Sequence, residues 1–425
     1  MFRALAIANR GQASRKRRGL LPLLGGRFSF VVPRAAASQK YNCGSTSKSR
    51  PVRILVVAAS FLPDLGGLEN HVYEVTRRMA TRADLDLTVL TTDRSGSRPT
   101  SERLGAFTVH RRRAYPRNRD YYFSPGIFRS IASGDYDLVH CQGIHTAVPV
   151  LAMVAARRRR IPYVVTFHTG GHSSNLRRRI RHAQWFALGP LLRRAAIVVA
   201  VSRFEQQLFQ GLCGLDASRI RVIQNGGGLP SPATRIQNIP GRIISSGRLE
   251  EYKGHHRVVE AMPIVQRSIP YATLQILGSG PYEGKLRSLI TSLGLQKSVT
   301  IEYISPGDRE RMARTLGAAA AVAALSEYEA NPLSVMEALA LGIPAVGLDT
   351  TGIGDLIADG LVRGVPRNAS ATAIAEALIA TLEEDREVSS SAKISTWDAA
   401  ARSLAQVYLD AIQDGSRPVQ SQDAR

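Results

Sequence analysis

No apolar run in this 425-residue sequence approaches the ~18 residues that a membrane-spanning helix needs. Its longest candidate, Leu316–Leu325, is short and Ala-rich and reads as a helix end running into a buried strand. Cysteine is scarce. Cys43, Cys141 and Cys213 have neither the number nor the spacing of a disulfide framework or a zinc site, and they suit a reducing compartment, the cytoplasm. Helix-turn-helix, zinc-finger and aromatic RNA-binding signatures are missing, so no nucleic-acid partner is expected. Asp84-Leu85-Asp86 has the outline of a metal-binding Asp-x-Asp, but it falls near a helix-to-strand turn and reads as surface. Acids are absent from two long stretches. Residues 1–50 hold eleven Lys/Arg, half of the net +22, and Leu151–Ala196 holds ten Arg.

What is present is a globular composition, 44% hydrophobic, in a chain long enough for two cores. Residues 1–50 show no sustained period and are set apart as a basic extension. They fit a transit peptide, a disordered tail or an overextended start.

A parallel α/β rhythm begins at Arg53–Ala59, a near-continuous apolar run of the kind covered on both faces. Gly66-Gly67 and a helix over about Leu68–Met79 follow. Strand-like runs recur at Leu85–Thr91, Phe107–His110, Leu138–Cys141, Tyr163–Phe167, Ile197–Val201 and Arg221–Ile223, with helices at His145–Arg157 and Phe204–Leu212. Residues 51–226 therefore read as a doubly wound domain. Gly, Pro and polar residues over 227–240 read as a linker. The rhythm restarts over 241–390, with strands at Ile243–Ser246, Thr273–Leu277, Val299–Tyr303, Ala320–Leu325 and Ala345–Leu348. Helices are expected at His255–Gln266, Arg309–Leu316 and Ala371–Leu382, and Thr351–Asp355 reads as a Gly-rich loop. Residues 391–425 hold a last amphipathic helix, Trp397–Ile412, and a tail.

The most informative stretch is Ser326–Pro344. Glu329 and Glu337 lie eight residues apart. Asn331 reads as a helix cap, Pro332 as the first helical residue and Gly342 as the stop. A helix N-terminus attracts anions, and carboxylates beside it suit hydroxyl-bearing ligands such as a sugar or ribose. Taken alone, the two Glu residues read equally well as solvated surface charge. His168 follows a strand directly and could donate a hydrogen bond or move a proton.

Several motifs then occur in one order: LPDLGGLENH, TFHTG, VSRFE, QNG, SGRLEEYKG, LGSGP and EANPLSVMEALALGIP. Together they resemble the retaining, nucleotide-sugar-dependent glycosyltransferases of the group 1 / family 4 type, and the resemblance covers about Pro51 to Ile412. It implies the glycosyltransferase B fold, two facing Rossmann-like domains with a cleft between them. It also implies transfer of a hexosyl unit from a UDP- or GDP-linked donor to a glycan or lipid-linked acceptor with retention, in glycan, glycolipid or cell-envelope polysaccharide synthesis. No cofactor or metal is implied.

By the same resemblance Arg248 and Lys253 grip the donor diphosphate, and Gly66 and Gly67 face it from the other domain. Glu337 accepts ribose hydroxyls, Glu329 binds sugar hydroxyls, Asn331 belongs to the donor site and His168 stands beside the sugar. Tyr303-Ile304 lines the base pocket by position. Two departures stand out: Asn225-Gly226 is followed by Gly227 where the family often has an acid, and Asp355 stands where it usually has Glu.

Other classes remain open at this point. A glycosidase also uses two carboxylates, but it needs no cationic pair for a diphosphate. An epimerase of the same fold would act on donor alone, and a basic anion-binding protein would need no Glu opposite its cations. Finally, Arg177–Arg181 followed by Trp185, Phe186 and Leu188 suggests peripheral contact with an anionic membrane on its inner face.

Overall fold

The computed structural model describes residues 50–64, 66–117, 122–169, 175–230, 236–384 and 394–415, with the side chains of 175–182 not included. The basic extension lies outside the described residues. In chain order the first half runs β1 (Val52–Ala58), α1 (Gly67–Met79), β2 (Leu85–Asp93), β3 (Ser101–Leu104), β4 (Phe107–Arg113), α2 (Pro125–Ser133) and β5 (Leu138–Gln142). It continues with α3 (Ala147–Arg158), β6 (Tyr163–Thr166), α4 (Asn175–Leu192), β7 (Ile197–Ala200), α5 (Arg203–Cys213) and β8 (Ile220–Val222). The second half runs β9 (Arg242–Ser246), α6 (His255–Ser268), β10 (Thr273–Leu277), α7 (Glu283–Ser292), β11 (Val299–Glu302), α8 (Arg309–Gly317) and β12 (Ala321–Ala324). There follow α9 (Leu333–Ala340), β13 (Ala345–Leu348), α10 (Thr351–Ala358), β14 (Arg363–Val365), α11 (Ala371–Glu383) and α12 (Trp397–Gly415).

The strands form two sheets, ordered β3-β4-β2-β1-β5-β6-β7-β8 and β11-β10-β9-β12-β13-β14. All pairs are parallel except the β3–β4 edge. Strand alternation shows how the cores are built, since successive side chains leave opposite faces. Ile54, Val56 and Ala58 pack with Val72 and Val75 of α1 and Leu404 and Tyr408 of α12, whereas Leu55 and Val57 pack with Ile127 of α2 and Val148 and Ala152 of α3. In the second sheet Ile243 joins α6 and α11, and Ile244 joins α8, α9 and α10. Each such Val, Leu or Ile side chain, fully removed from water, contributes about 1.5–3 kcal/mol. Helix starts follow local chemistry: Thr146, Ser202, Asp308 and Ser370 accept hydrogen bonds from the first turns of α3, α5, α8 and α11.

Two local expectations are corrected. Thr351–Asp355 is not a loop but the start of α10. Gly352 is there for close approach: its N–H donates to Glu329 O at 2.7 Å, and a Cβ would stand 1.9 Å from Ala330 O. At Asn331-Pro332 the helix begins one residue later than expected. Pro332 takes the N-cap position, and Asn331 caps nothing.

Candidate active site

In parallel sheets the carboxyl ends of the strands open toward ligand. Here β6 leads to His168, β9 leads to Arg248, and β12 leads to Glu329. These residues, with Gly66 and Gly67, Lys253, Ile304, Asn331 and Glu337, line one cleft of about 420 Å³. Tyr303 is the exception. It is 56% exposed and does not line the cleft, whereas Ile304 is buried and does, because adjacent residues of an extended segment point opposite ways.

Lys253 pairs with Glu329, and Ser326 Oγ donates to the same carboxylate at 3.0 Å. Burial works most strongly to lower the Lys253 pKa, but the Glu329 charge, Tyr252 and the hydrogen bond to Glu329 together outweigh it and hold the ammonium above its usual value. Gly254 permits this placement: its φ is +72°, and a Cβ would stand 2.0 Å from Leu325 O. Arg248 is held by Glu250 at 2.9 Å and by Tyr252 Oη, to which it donates at 3.0 Å, and two-thirds of its side chain stays exposed. A largely exposed guanidinium and a more buried ammonium therefore flank the cleft. Gly66 is the N-cap of α1, and a Cβ on Gly67 would meet nothing, so a ligand can approach the backbone of that helix start.

Glu337 is 5% exposed and pairs with Arg309. Burial raises its pKa, and the Arg309 charge opposes that. Nothing in the sequence marks Arg309 as a partner, 28 residues away on the preceding helix. Asn331 Oδ1 and Asn70 Nδ2 are buried without hydrogen-bond partners, and both residues line the cleft. Buried polar atoms are nearly always satisfied, so these two offer an acceptor and a donor to a ligand.

His168 has a left-handed backbone, φ +48°, and its Nε2–H donates to Gln142 Oε1 at 2.8 Å. Gln142 Nε2 donates in turn to His140 Nδ1 at 3.2 Å, which also accepts from Tyr408 Oη at 2.7 Å. This buried chain fixes the His168 tautomer and leaves Nδ1 as its acceptor. Burial, then the neighbouring His71 and His140, push its pKa far down, so the ring is neutral at physiological pH. His71 packs edge-on against it at 4.5 Å and donates from Nδ1 to Asn225 Oδ1 at 2.8 Å, and burial lowers the His71 pKa to about 4. The His71, Gln142 and Asn225 contributions carry no periodic signal in the sequence; LPDLGGLENH ends at His71 and QNG contains Asn225, but no motif reaches Gln142.

The two halves also bond to each other. Tyr328 Oη donates to Thr169 Oγ1 at 2.8 Å, and Thr169 donates from its N–H and hydroxyl to the buried Glu205, both at 2.6 Å. Asp355 is not at the cleft: its carboxylate accepts from Phe204 N–H at 3.1 Å, at the start of α5. The missing acid after Asn225-Gly226 has a steric cause. A Cβ on Gly227 would stand 2.4 Å from Met336 O, and one on Gly226 2.2 Å from Trp397 N. The expected interfacial group is also smaller than the sequence suggests. Trp185 and Leu188 are buried, only Phe186 is exposed, and the Arg177–Arg181 side chains lie outside the described residues. Asp84 pairs with Arg82, and the described residues contain no cluster of three or more His, Cys, Asp or Glu able to hold a metal ion.

Two facing α/β halves with cations, carboxylates and unfilled polar atoms around a shared cleft define a glycosyltransferase B architecture. Residues 65–226 match Glycosyltransferase Family 4, and residues 232–396 match Glycosyl transferases group 1. The chain is 30% identical over 308 residues to a GDP-mannose:cellobiosyl-diphosphopolyprenol alpha-mannosyltransferase of Xanthomonas oryzae pv. oryzae, covering 69% of this chain and 77% of that one. Among solved structures it is similar to sucrose-phosphate synthase from Thermosynechococcus elongatus, with a TM-score of 0.65 and 18% identity over 85% of this chain and 100% of that one. It is also similar to Anabaena HepE in complex with UDP-glucose, with a TM-score of 0.60 and 18% identity over 86% and 98% of the two chains. The chain belongs to the group 1 / family 4 glycosyltransferases and is a nucleotide-sugar glycosyltransferase.

Proposed function

We propose that this protein transfers a hexosyl unit from a UDP- or GDP-linked sugar to an acceptor hydroxyl with retention, in glycan, glycolipid or cell-envelope polysaccharide synthesis. The observation that carries this reading is the pairing of Lys253 with Glu329 in the same cleft as Arg248, the α1 start and Glu337. One wall is cationic and suits a diphosphate, and its carboxylates suit hydroxyls. The donor diphosphate lies toward Arg248 and Lys253, its ribose toward Glu337, its base toward Ile304, and its sugar between Glu329, Asn331 and His168.

In the step, the acceptor oxygen forms a bond to the anomeric carbon on the face that the leaving phosphate departs. The carbon–oxygen bond to the β-phosphate breaks, and the acceptor proton passes to the departing phosphate oxygen. Charge growing on that phosphate meets Arg248 and Lys253, which favours the transition state over the ground state. These cations fill the role a metal would otherwise take. His168, neutral and with Nδ1 as acceptor, receives a hydrogen bond from a sugar hydroxyl and transfers no proton at neutral pH.

A lipid-linked acceptor fits the diphosphopolyprenol acceptor named for the Xanthomonas relative. Among the described residues, no helix is long and apolar enough to cross a membrane, so such an acceptor would be met from the surface, near exposed Phe186. The test is a transfer and hydrolysis screen of purified protein over UDP- and GDP-sugars, with the product anomer read by NMR. An inverted product would refute retention. No turnover and no calorimetric binding of any donor would refute the reading as a whole.

A further inference from the structure

A second cavity, of about 560 Å³, lies at the other end of the first sheet. Strands β6, β7 and β8 run parallel, so their amino ends share one edge, opposite the edge where β6 delivers His168 to the cleft. Arg160 precedes β6, Arg194 precedes β7, and Arg219 and Arg221 bracket the first residue of β8. With Arg157 from the end of α3, they place five guanidiniums around this cavity, against the single carboxylate of Asp414 among its described lining residues.

The C-terminal end of α3 carries partial negative charge and accounts for Arg157. It does not account for Arg194, Arg219 and Arg221, which arrive from separate segments. Two of these arginines are partly committed already. Arg219 Nη1 donates to Arg193 O at 2.9 Å, and Arg221 Nη1 donates to Ser218 O. Arg221 Nη1 also reaches Ile220 O at 3.5 Å; these bonds orient the forks through Nη1 and leave at least three of the five donors on each. Arg160 adds an independent observation. It closes α3 in a Schellman arrangement, with its own N–H to Arg157 O at 3.1 Å and Ile161 N–H to Ala156 O at 2.9 Å. Its φ is +57°, a position that favours glycine by about 1 kcal/mol. The sequence keeps an arginine there, and its side chain lines the cavity.

We propose that this cavity is a second anion site, separate from the donor cleft, for a ligand carrying two or more phosphoryl groups. Planar guanidinium forks match phosphate oxygens two at a time. A single phosphate would meet only part of a five-arginine wall. The cavity is concave and of small-molecule size, which suits a compact polyphosphate or a phosphorylated lipid headgroup rather than a flat polymer.

The test is calorimetric titration of the full chain with inorganic tripolyphosphate, alongside co-sedimentation with phosphatidylcholine vesicles with and without phosphatidylinositol 4,5-bisphosphate, whose headgroup carries more than one phosphoryl group. Two double variants separate the sites. Arg248→Ala/Lys253→Ala disables the donor cleft. Arg160→Gly/Arg194→Ala disables the second cavity, and the glycine suits the left-handed backbone, so the melting temperature should not fall. Saturable tripolyphosphate binding should persist in the first variant and weaken at least about tenfold in the second. Tripolyphosphate binding without vesicle binding assigns a soluble ligand. Vesicle binding that depends on the bisphosphorylated lipid and is lost in the second variant assigns a headgroup. Loss of all binding in the cleft variant, or unchanged binding in folded Arg160→Gly/Arg194→Ala protein, overturns the proposal.

Discussion

Replacing Arg309 by Ala removes the cation that pairs with Glu337 and leaves a carboxylate that is 5% exposed. Breaking a buried ion pair from one side costs about 3–5 kcal/mol. Arg309 is itself 26% exposed, so solvent screens part of the interaction, and the loss at neutral pH should be nearer ~2–3 kcal/mol. For a domain of this size each kcal/mol lowers the melting temperature by about 2–4 °C, so a fall of roughly 5–10 °C is expected.

The pH dependence identifies the cause. The folded-state pKa of Glu337 is raised, first by burial, so the folded protein holds that proton more tightly than the unfolded chain does. Its contribution favours folding below the unfolded pKa and is lost as pH rises through the folded pKa. Without Arg309 the folded pKa rises further. Arg309→Ala should therefore be more destabilising relative to wild type near about pH 8 than near about pH 5. Glu337→Gln removes the charge and should restore much of the lost stability in the double variant at the higher pH. Thermal melts of the four proteins at both values check this. Equal loss from Arg309→Ala at both pH values, or a double variant no more stable than Arg309→Ala at the higher one, would refute it.

Two further outcomes concern catalysis. Arg248→Ala and Lys253→Ala should each lower turnover by at least about tenfold, because leaving-group charge is met there; normal turnover in both folded variants, measured as nucleoside diphosphate release, removes the diphosphate assignment. Activity should survive EDTA because the cations already present face the diphosphate; a complete loss restored by manganese would place a metal in the step.

The regular parts of this fold were legible because their signals are local. Ile54 to Ala58 shows a buried parallel strand by composition, and α1, α3 and α6 begin and end near their apolar periods. The elements that escaped have signals that point elsewhere. The glycines of α10 look like a loop, yet Gly352 is fixed by the backbone of Ala330, which is close only in the folded chain. At the cleft, the motif residues could be named from the sequence, but their partners could not. Arg309 reaches Glu337 across 28 residues, His71 reaches Asn225 across 154, and Tyr328 reaches Thr169 across 159. Tyr303 and Ile304 show the finest gap, since choosing between neighbours requires knowing which way the extended backbone faces.

The course of α12 has a consequence for how the protein is made. Ile54, Val56 and Ala58 emerge from the ribosome about 350 residues (404 − 54) before Leu404 and Tyr408, which cover them. At ~5–20 residues per second, that sheet face waits on the order of tens of seconds for its cover. Through that interval the nascent chain presents an apolar surface that α1 covers only in part, and the His140 ring lacks the Tyr408 hydroxyl that it later receives. The protein's yield in a cell should therefore depend on holding chaperones during synthesis. Separate expression of the first half should give insoluble material, and supplying α12 in trans is the natural remedy.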